Sequence, residues 1–140
     1  MINVLLLGAG TQSLAIVRDI KSFCRVYIVG ERNNYGDCSR YVKKSYLAMD
    51  IPSSEIFLNQ VLSLIKKHKI EVLIPMGDAY SDFLSRNKAQ LSPLAKFKIP
   101  DYSIFQRGSN KRSLMQLCMD NNYPHPKTYI VNSVDEIDKE

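Results

Sequence analysis

The sequence contains no hydrophobic run long enough to cross a bilayer; its longest, near residues 2–7, falls far short of the roughly 20 apolar residues a membrane helix needs. The N-terminus also lacks the basic lead and cleavage signature of a secretory signal, so a cytoplasmic location is expected. Cysteine is sparse. Cys24, Cys38 and Cys118 are an odd number, widely spaced, with no C-x-x-C pair, which argues against both a disulfide framework and a zinc site. Cys24 and Cys118 read as small core residues. His68 and His125 are isolated, and no metal site is expected. Aromatic residues do not interleave with the basic clusters at Lys43-Lys44, residues 66–69 and residues 107–112, so nucleic acid is disfavoured as a partner. The excess of 19 Lys+Arg over 14 Asp+Glu, a net charge of +5, favours an anionic partner without defining the fold.

What is present is an ordinary globular composition: 140 residues, 45% hydrophobic and 24% charged. At this size folding buries roughly two thirds of the extended-chain surface, enough for one core. Ile2-Asn3-Val4-Leu5-Leu6-Leu7 is almost continuously apolar, as a parallel strand buried on both faces requires. A turn at residues 8–13 follows, then Leu14, Ile16, Val17 and Ile20 at helical spacing, then a second strand at residues 25–29 stopped by Gly30. A third strand is expected at residues 46–49. Ser53 or Ser54 should cap a helix with Glu55 in its first turn and residues 66–69 as a cationic end, both matched to the helix dipole.

A fourth strand is expected at residues 71–75, then one helix through Phe83, Leu84 and Leu91, and a last sheet strand at residues 96–99. Pro100-Asp101 should open a short helix carrying Ile104 and Phe105. Asn110 should cap another, with a buried face of Leu114, Leu117 and Cys118 and an end at Asn121-Asn122. Tyr123-Pro124-His125-Pro126 should be extended. One more strand is expected at residues 128–131 and a helix from Ser133 onward, beginning just as the sequence stops.

Alternating strands and helices predict a Rossmann-like three-layer α/β/α fold with a mostly parallel sheet, whose ligands bind beyond the carboxyl ends of the strands. That rule nominates residues 8–13 and 77–80. Gly8-Ala9-Gly10-Thr11-Gln12-Ser13 approximates G-x-G-x-x-G with serine at the last position, and Glu31 follows at the end of the second strand. Two glycines allow an anion close to the backbone, the helix start offers free N–H groups, and Glu31 can take a ribose hydroxyl. Read alone, this is a weak dinucleotide signature. Asp78 reads either as a helix cap or as a carboxylate at the substrate edge, capping being the commoner role.

Three stretches together resemble the N-terminal (pre-ATP-grasp) domain of ATP-grasp ligases, in particular the carbamoyl phosphate synthase large subunit and its relatives. They are residues 3–10, residues 69–78, and residues 110–129, where such proteins read roughly D-K, a short helix, then G-I-P-x-P-x-T. Here Asn110 stands for the acid and Asn122-Tyr123 for Gly-Ile. Asparagine still caps a helix, and it is second only to glycine at a left-handed helix end.

The resemblance implies a domain of residues 1–109 and a closing helix with extended lead-in, residues 110–140, to a missing C-terminal ATP-grasp portion. It implies that Gly8, Ala9, Gly10, Thr11, Gln12, Glu31, Gly77 and Asp78 face a small carboxylate or amine substrate. Lys111 would reach the ATP phosphates, a contact worth on the order of 1.5–3 kcal/mol. ATP and magnesium are cofactors of the full-length parent, in which a carboxylate is activated as an acyl phosphate and attacked by an amine or ammonia. This chain reads as a truncated piece, with no catalytic residue of its own and no cofactor expected to be bound to it. Two other functions compete: an NAD(P)-binding Rossmann domain, resting on Gly8, Gly10 and Glu31, and a non-catalytic interaction module using the basic surface.

Overall fold

The computed structural model describes residues 1–31 and 34–133. The chain divides into two compact units, Met1–Tyr102 and Ser103–Glu140.

The first unit is built on a four-stranded, all-parallel sheet of β1 (Ile2–Leu7), β2 (Cys24–Gly30), β3 (Val42–Leu47) and β4 (Val72–Pro75), in the order β3-β2-β1-β4. The central strand β1 pairs on both sides, and from Val4 to Leu7 no residue exceeds 3% exposure, as its unbroken apolar run requires. Alternate residues serve opposite faces. Leu5, Leu7, Tyr27, Val29 and Leu73 pack against α2 (Glu55–His68), α3 (Asp78–Arg86) and α4 (Lys88–Leu91), through Phe57, Val61, Phe83, Leu84 and Leu91. Val4, Leu6, Val26 and Ile28 pack against α1 (Thr11–Ile20), through Val17, Ile16 and Ile20. The result is the three-layer α/β/α arrangement expected from the alternation of elements.

Helix ends follow local chemistry. The Ser54 hydroxyl accepts the Phe57 N–H at the start of α2, Glu55 occupies its first turn and Lys66, Lys67 and His68 its last. Lys69 then closes it in the left-handed conformation, at φ 49°.

In the first unit four expectations need correction. The third strand lies at Val42–Leu47 rather than residues 46–49: it is a sheet edge paired only to β2, so Lys43, Lys44 and Ser45 are exposed and hydrophobicity does not mark it. The single helix through Leu91 is two, because Asn87 (φ −99°, ψ 17°) ends α3 while its side-chain amide donates to the Phe83 carbonyl. The strand expected at residues 96–99 reduces to one parallel bridge between Val72 and Lys96. Beyond it the chain is drawn to the helices, with Lys88 Nζ donating to the Ile99 carbonyl and Ser85 Oγ to that of Pro100. Finally, Thr11 and Gln12, expected in the turn, are the first residues of α1.

The second unit contains α6 (Lys111–Asp120), preceded by α5 (Tyr102–Ser109), which begins at the end of the first unit. Asn110 caps α6 by accepting the Ser113 N–H at 3.0 Å. At the other end Asn122 is left-handed at φ 53°, the Asn122 N–H donates to Met119 O and the Tyr123 N–H to Cys118 O at 2.9 Å. This is a Schellman closure with asparagine where glycine is usual. Residues 128–131, expected as a strand, form none among the described residues; a lone extended segment without a neighbour has no ladder to join. The helix expected from Ser133 onward falls on residues 134–140, outside the described residues.

Candidate functional site

In an open parallel sheet the crevice for ligands opens where the strand order reverses, here between β1 and β4, since β1 leads to β2 on one side while β4 lies on the other. Both nominated loops leave the sheet at that point. The Gly8 N–H donates to Val29 O at 2.7 Å and the Met76 N–H to Leu7 O at 2.8 Å, so the ends of β2, β1 and β4 are locked in one row. Gly8, Ala9, Gly10, Thr11 and Gln12 follow β1, Glu31 follows β2, and Gly77 and Asp78 follow β4. The fold therefore gathers eight of the nine nominated residues along one edge of the sheet. Lys111 belongs to the second unit, as the exposed first residue of α6.

Gly8 has φ +107°, and a Cβ on it would meet the Tyr80 ring at 2.9 Å and Met76 Cβ at 3.0 Å. Glycine is thus required by conformation and by space. Gly10, in contrast, has an ordinary φ of −66° and nothing within 4 Å of where a Cβ would stand, so its exposed side faces open crevice. It caps α1 without any side-chain hydrogen bond, so no capping side chain occupies the first-turn N–H groups of the helix.

Ser13, which departs from the glycine pattern, is fully buried, and its hydroxyl donates to the Gly8 carbonyl at 2.8 Å. The extra side chain is accommodated because Gly36 lies against it: a Cβ on Gly36 would come within 2.8 Å of both Ser13 Cβ and Ala9 O. The Gly36 N–H also donates to Ala9 O at 2.8 Å. Serine here braces the turn from within.

Tyr80 is the residue that sequence reasoning left out of the site, although it lies within the nominated loop. Its ring covers Gly8 and tilts against Phe57, with centroids 5.9 Å apart. Burial first, and then the Glu31 carboxylate, push its phenol above the ordinary tyrosine range. Like any tyrosine it is a protonated hydrogen-bond donor at neutral pH, and it stands at the same edge of the sheet as Glu31. An aromatic one turn into a helix is ordinary core material by sequence; only the closeness of β1 and β4 puts it over Gly8.

Asp78 does not cap α3 with its side chain; Gly77 holds the cap position, at φ +127°, and Asp78 is the exposed first helical residue. A carboxylate there is favourable to the helix dipole and is also open to a ligand. In the second unit, Lys111 lines a cavity of ≈ 280 Å³ with Arg112, Met115 and residues 128–131. Arg112 is committed to Asn132 Oδ1 at 2.6 Å, whereas the Lys111 ammonium makes no such bond among the described residues. Among the described residues there is no group of three or more His, Cys, Asp or Glu side chains that could hold a metal ion, and no helix is long and apolar enough to cross a membrane.

A parallel sheet in this order, with glycine loops converging on its switch point, defines a Rossmann-like α/β fold. No protein-family model matches the sequence. A stretch of 81 residues is 37% identical to the D-aspartate ligase of Enterococcus faecium (strain Aus0004), covering 54% of this chain and 19% of that protein. The L-amino acid ligase from Bacillus licheniformis superposes with a TM-score of 0.70 at 9% identity, over 90% of this chain and 32% of that one. The N5-carboxyaminoimidazole synthetase from Staphylococcus aureus, solved with ADP, gives 0.66 at 13% identity, over 99% and 35%. The fold is that of the N-terminal, pre-ATP-grasp domain of ATP-grasp ligases. The chain spans about a fifth of the curated relative's length and about a third of these structural neighbours.

Proposed function

We propose that this chain is the acceptor-substrate wall of an ATP-dependent carboxylate–amine ligase, working in a longer protein that also carries an ATP-grasp portion. The observation that carries the reading is the convergence on one sheet edge of an open Gly10, the first turn of α1 without a side-chain cap, Glu31 at the end of β2, and the Tyr80 ring over Gly8. A small substrate with both a carboxylate and an amine fits such a set: N–H groups at a helix start take the carboxylate, while Glu31 and Asp78 take the ammonium. Gly8, Ala9, Thr11, Gln12 and Gly77 shape the floor.

ATP would supply the phosphoryl group that activates a carboxylate. Lys111 is this chain's contribution to its phosphates, with residues 110–140 as the lead-in from the 1–109 domain, and magnesium would be held by residues outside this sequence. Phosphoryl transfer depends on positioning and charge neutralisation, so this chain alone would not perform it. Of the two finer readings, the 37% identity to a D-aspartate ligase favours an amino-acid substrate over a carbamoyl phosphate synthase-like reaction with ammonia. A cytoplasmic protein is the corresponding setting.

The test is ADP release by the longer protein, scanned over amino acids, other carboxylates and ammonia. Acceptor-dependent release is expected. Gly10→Leu, which its backbone tolerates and which fills the crevice, should raise the acceptor KM at least tenfold and leave that for ATP unchanged. No ADP release with any acceptor, or a reading frame without an ATP-grasp portion, overturns the proposal.

A further inference from the structure

Away from the switch point, the first unit has a second concave site that the ligase reading does not use. The connection from β2 to β3 contains turns at residues 35–38 where parallel strands are usually joined through a helix. One flank of α1 with its C-cap, carrying Leu14, Arg18 and the capping Lys21 at i, i+4 and i+7, therefore faces a cavity of ≈ 580 Å³ instead of a packed neighbour. The opposite wall is Tyr35, Cys38, Ser39, Arg40 and Tyr41.

The charged side chains that line this cavity are all basic, with the Asp37 carboxylate adjacent, accepting from the Cys38 thiol at 3.5 Å. Arg18, Lys21 and Arg40 line the cavity, and among the described residues none forms an ion pair with a carboxylate. Two of them are held in place by one ring: Arg40 donates to the Tyr41 hydroxyl at 2.7 Å, and the Lys21 ammonium sits 4.1 Å from the centre of the Tyr41 ring. Those contacts, Arg40 before Lys21, hold the Tyr41 phenol below its ordinary range. Among the described residues the Arg40 guanidinium keeps donors to spare, and Arg18 keeps all of its own. Leu14 and the 66% exposed Tyr35 supply apolar surface on either side.

We propose that this cleft binds the phosphate monoester of a small ring-bearing molecule, with Arg18, Lys21 and Arg40 on the phosphate and Leu14 and Tyr35 against the ring. Arginine forks match the three acceptor oxygens of such a dianion, and the volume falls in the usual small-molecule range of about 300–1,000 Å³. The site is separate from the acceptor crevice and stands whether or not the ligase reading holds.

The experiment titrates the 140-residue chain with phenyl phosphate and follows its amide signals by NMR. Shifts confined to residues 14–21 and 35–41 are expected; no shift there, or shifts spread over all basic surfaces, overturns the proposal. The double variant Arg18→Gln/Arg40→Gln should weaken binding at least tenfold. Lys66→Gln/Lys98→Gln, which removes equal charge from outside the cavity, should change it less than twofold; equal losses in both would mean generic attraction and sink the site. Inorganic phosphate, which leaves Leu14 and Tyr35 uncovered, should bind at least tenfold more weakly than the ester, and equal affinity would overturn the ring contact. The shift map of the unaltered chain decides the location independently of how well any variant folds.

Discussion

The two compact units use the same residue types to opposite ends. In the first, Phe57, Phe83, Leu5, Leu6 and Leu7 are completely buried between sheet and helices. In the second, no described residue is fully buried; Leu114, Met115, Leu117 and Cys118 lie half-covered on α6, whose order comes from its two asparagine caps. A helix of ten residues gains little from propensity alone, so its stability rests on caps and on whatever covers its apolar face. One unit is held by its interior and the other by its ends.

The sharpest way to break that contrast is a matched pair of truncations. Phe57→Ala should destabilise the first unit by about 3–5 kcal/mol, a large part of the roughly 5–15 kcal/mol typical of a domain. Leu117→Ala should leave the main thermal transition within a degree or two and only speed amide exchange along α6. Equal losses in the two variants would mean that both units share one cooperative core.

Next in size is the pair of positive-φ glycines. Gly8→Ala combines backbone strain with a clash against Tyr80 and Met76, and should cost about 2–4 kcal/mol in chemical denaturation. Gly77→Ala has strain but open space, and should cost about 1–2 kcal/mol. Within the second unit, Asn110→Ala should cost α6 about 1 kcal/mol, read as faster exchange in its first turn with the sheet amides unchanged.

The smallest effect concerns pH. His68 stacks on Tyr27 at 4.3 Å and shares a hydrogen bond with the Tyr46 hydroxyl, while Lys67 and Lys44 lie over the Tyr46 ring. Burial, then Lys67 and Lys44, hold its pKa below the ordinary 6.5. The unfolded chain then binds the proton more readily than the folded one, so stability is full above pH 6.5 and declines as pH falls through the lowered folded value. Melting temperature measured from pH 8 to 5 should show that decline, and His68→Gln should flatten its upper part.

Wherever burial on both faces or a cap fixes the local answer, the chain could be read directly. The apolar run of β1, Ser54 before Glu55, and Asn110 and Asn122 at the ends of α6 all matched their elements. The edge strand β3 was misplaced because its identity lies in a backbone ladder to β2 and not in its side chains. The expected strand at residues 96–99 failed because hydrogen bonds from Ser85 and Lys88 draw residues 99 and 100 toward the helices.

For the site, the order of elements nominated the two glycine loops, since alternating parallel units place all strand ends on one edge, and the spacing of the dinucleotide-like motif nominated Glu31. Only the tertiary structure placed Tyr80 over Gly8, fitted Gly36 against Ser13, and left the flank of α1 facing an open basic cleft. Those are contacts between residues far apart in the chain, and no local periodicity or propensity encodes which distant ring will meet which glycine. The sequence by itself thus determined a parallel α/β domain with ligand-facing loops; packing across strands decided what those loops present.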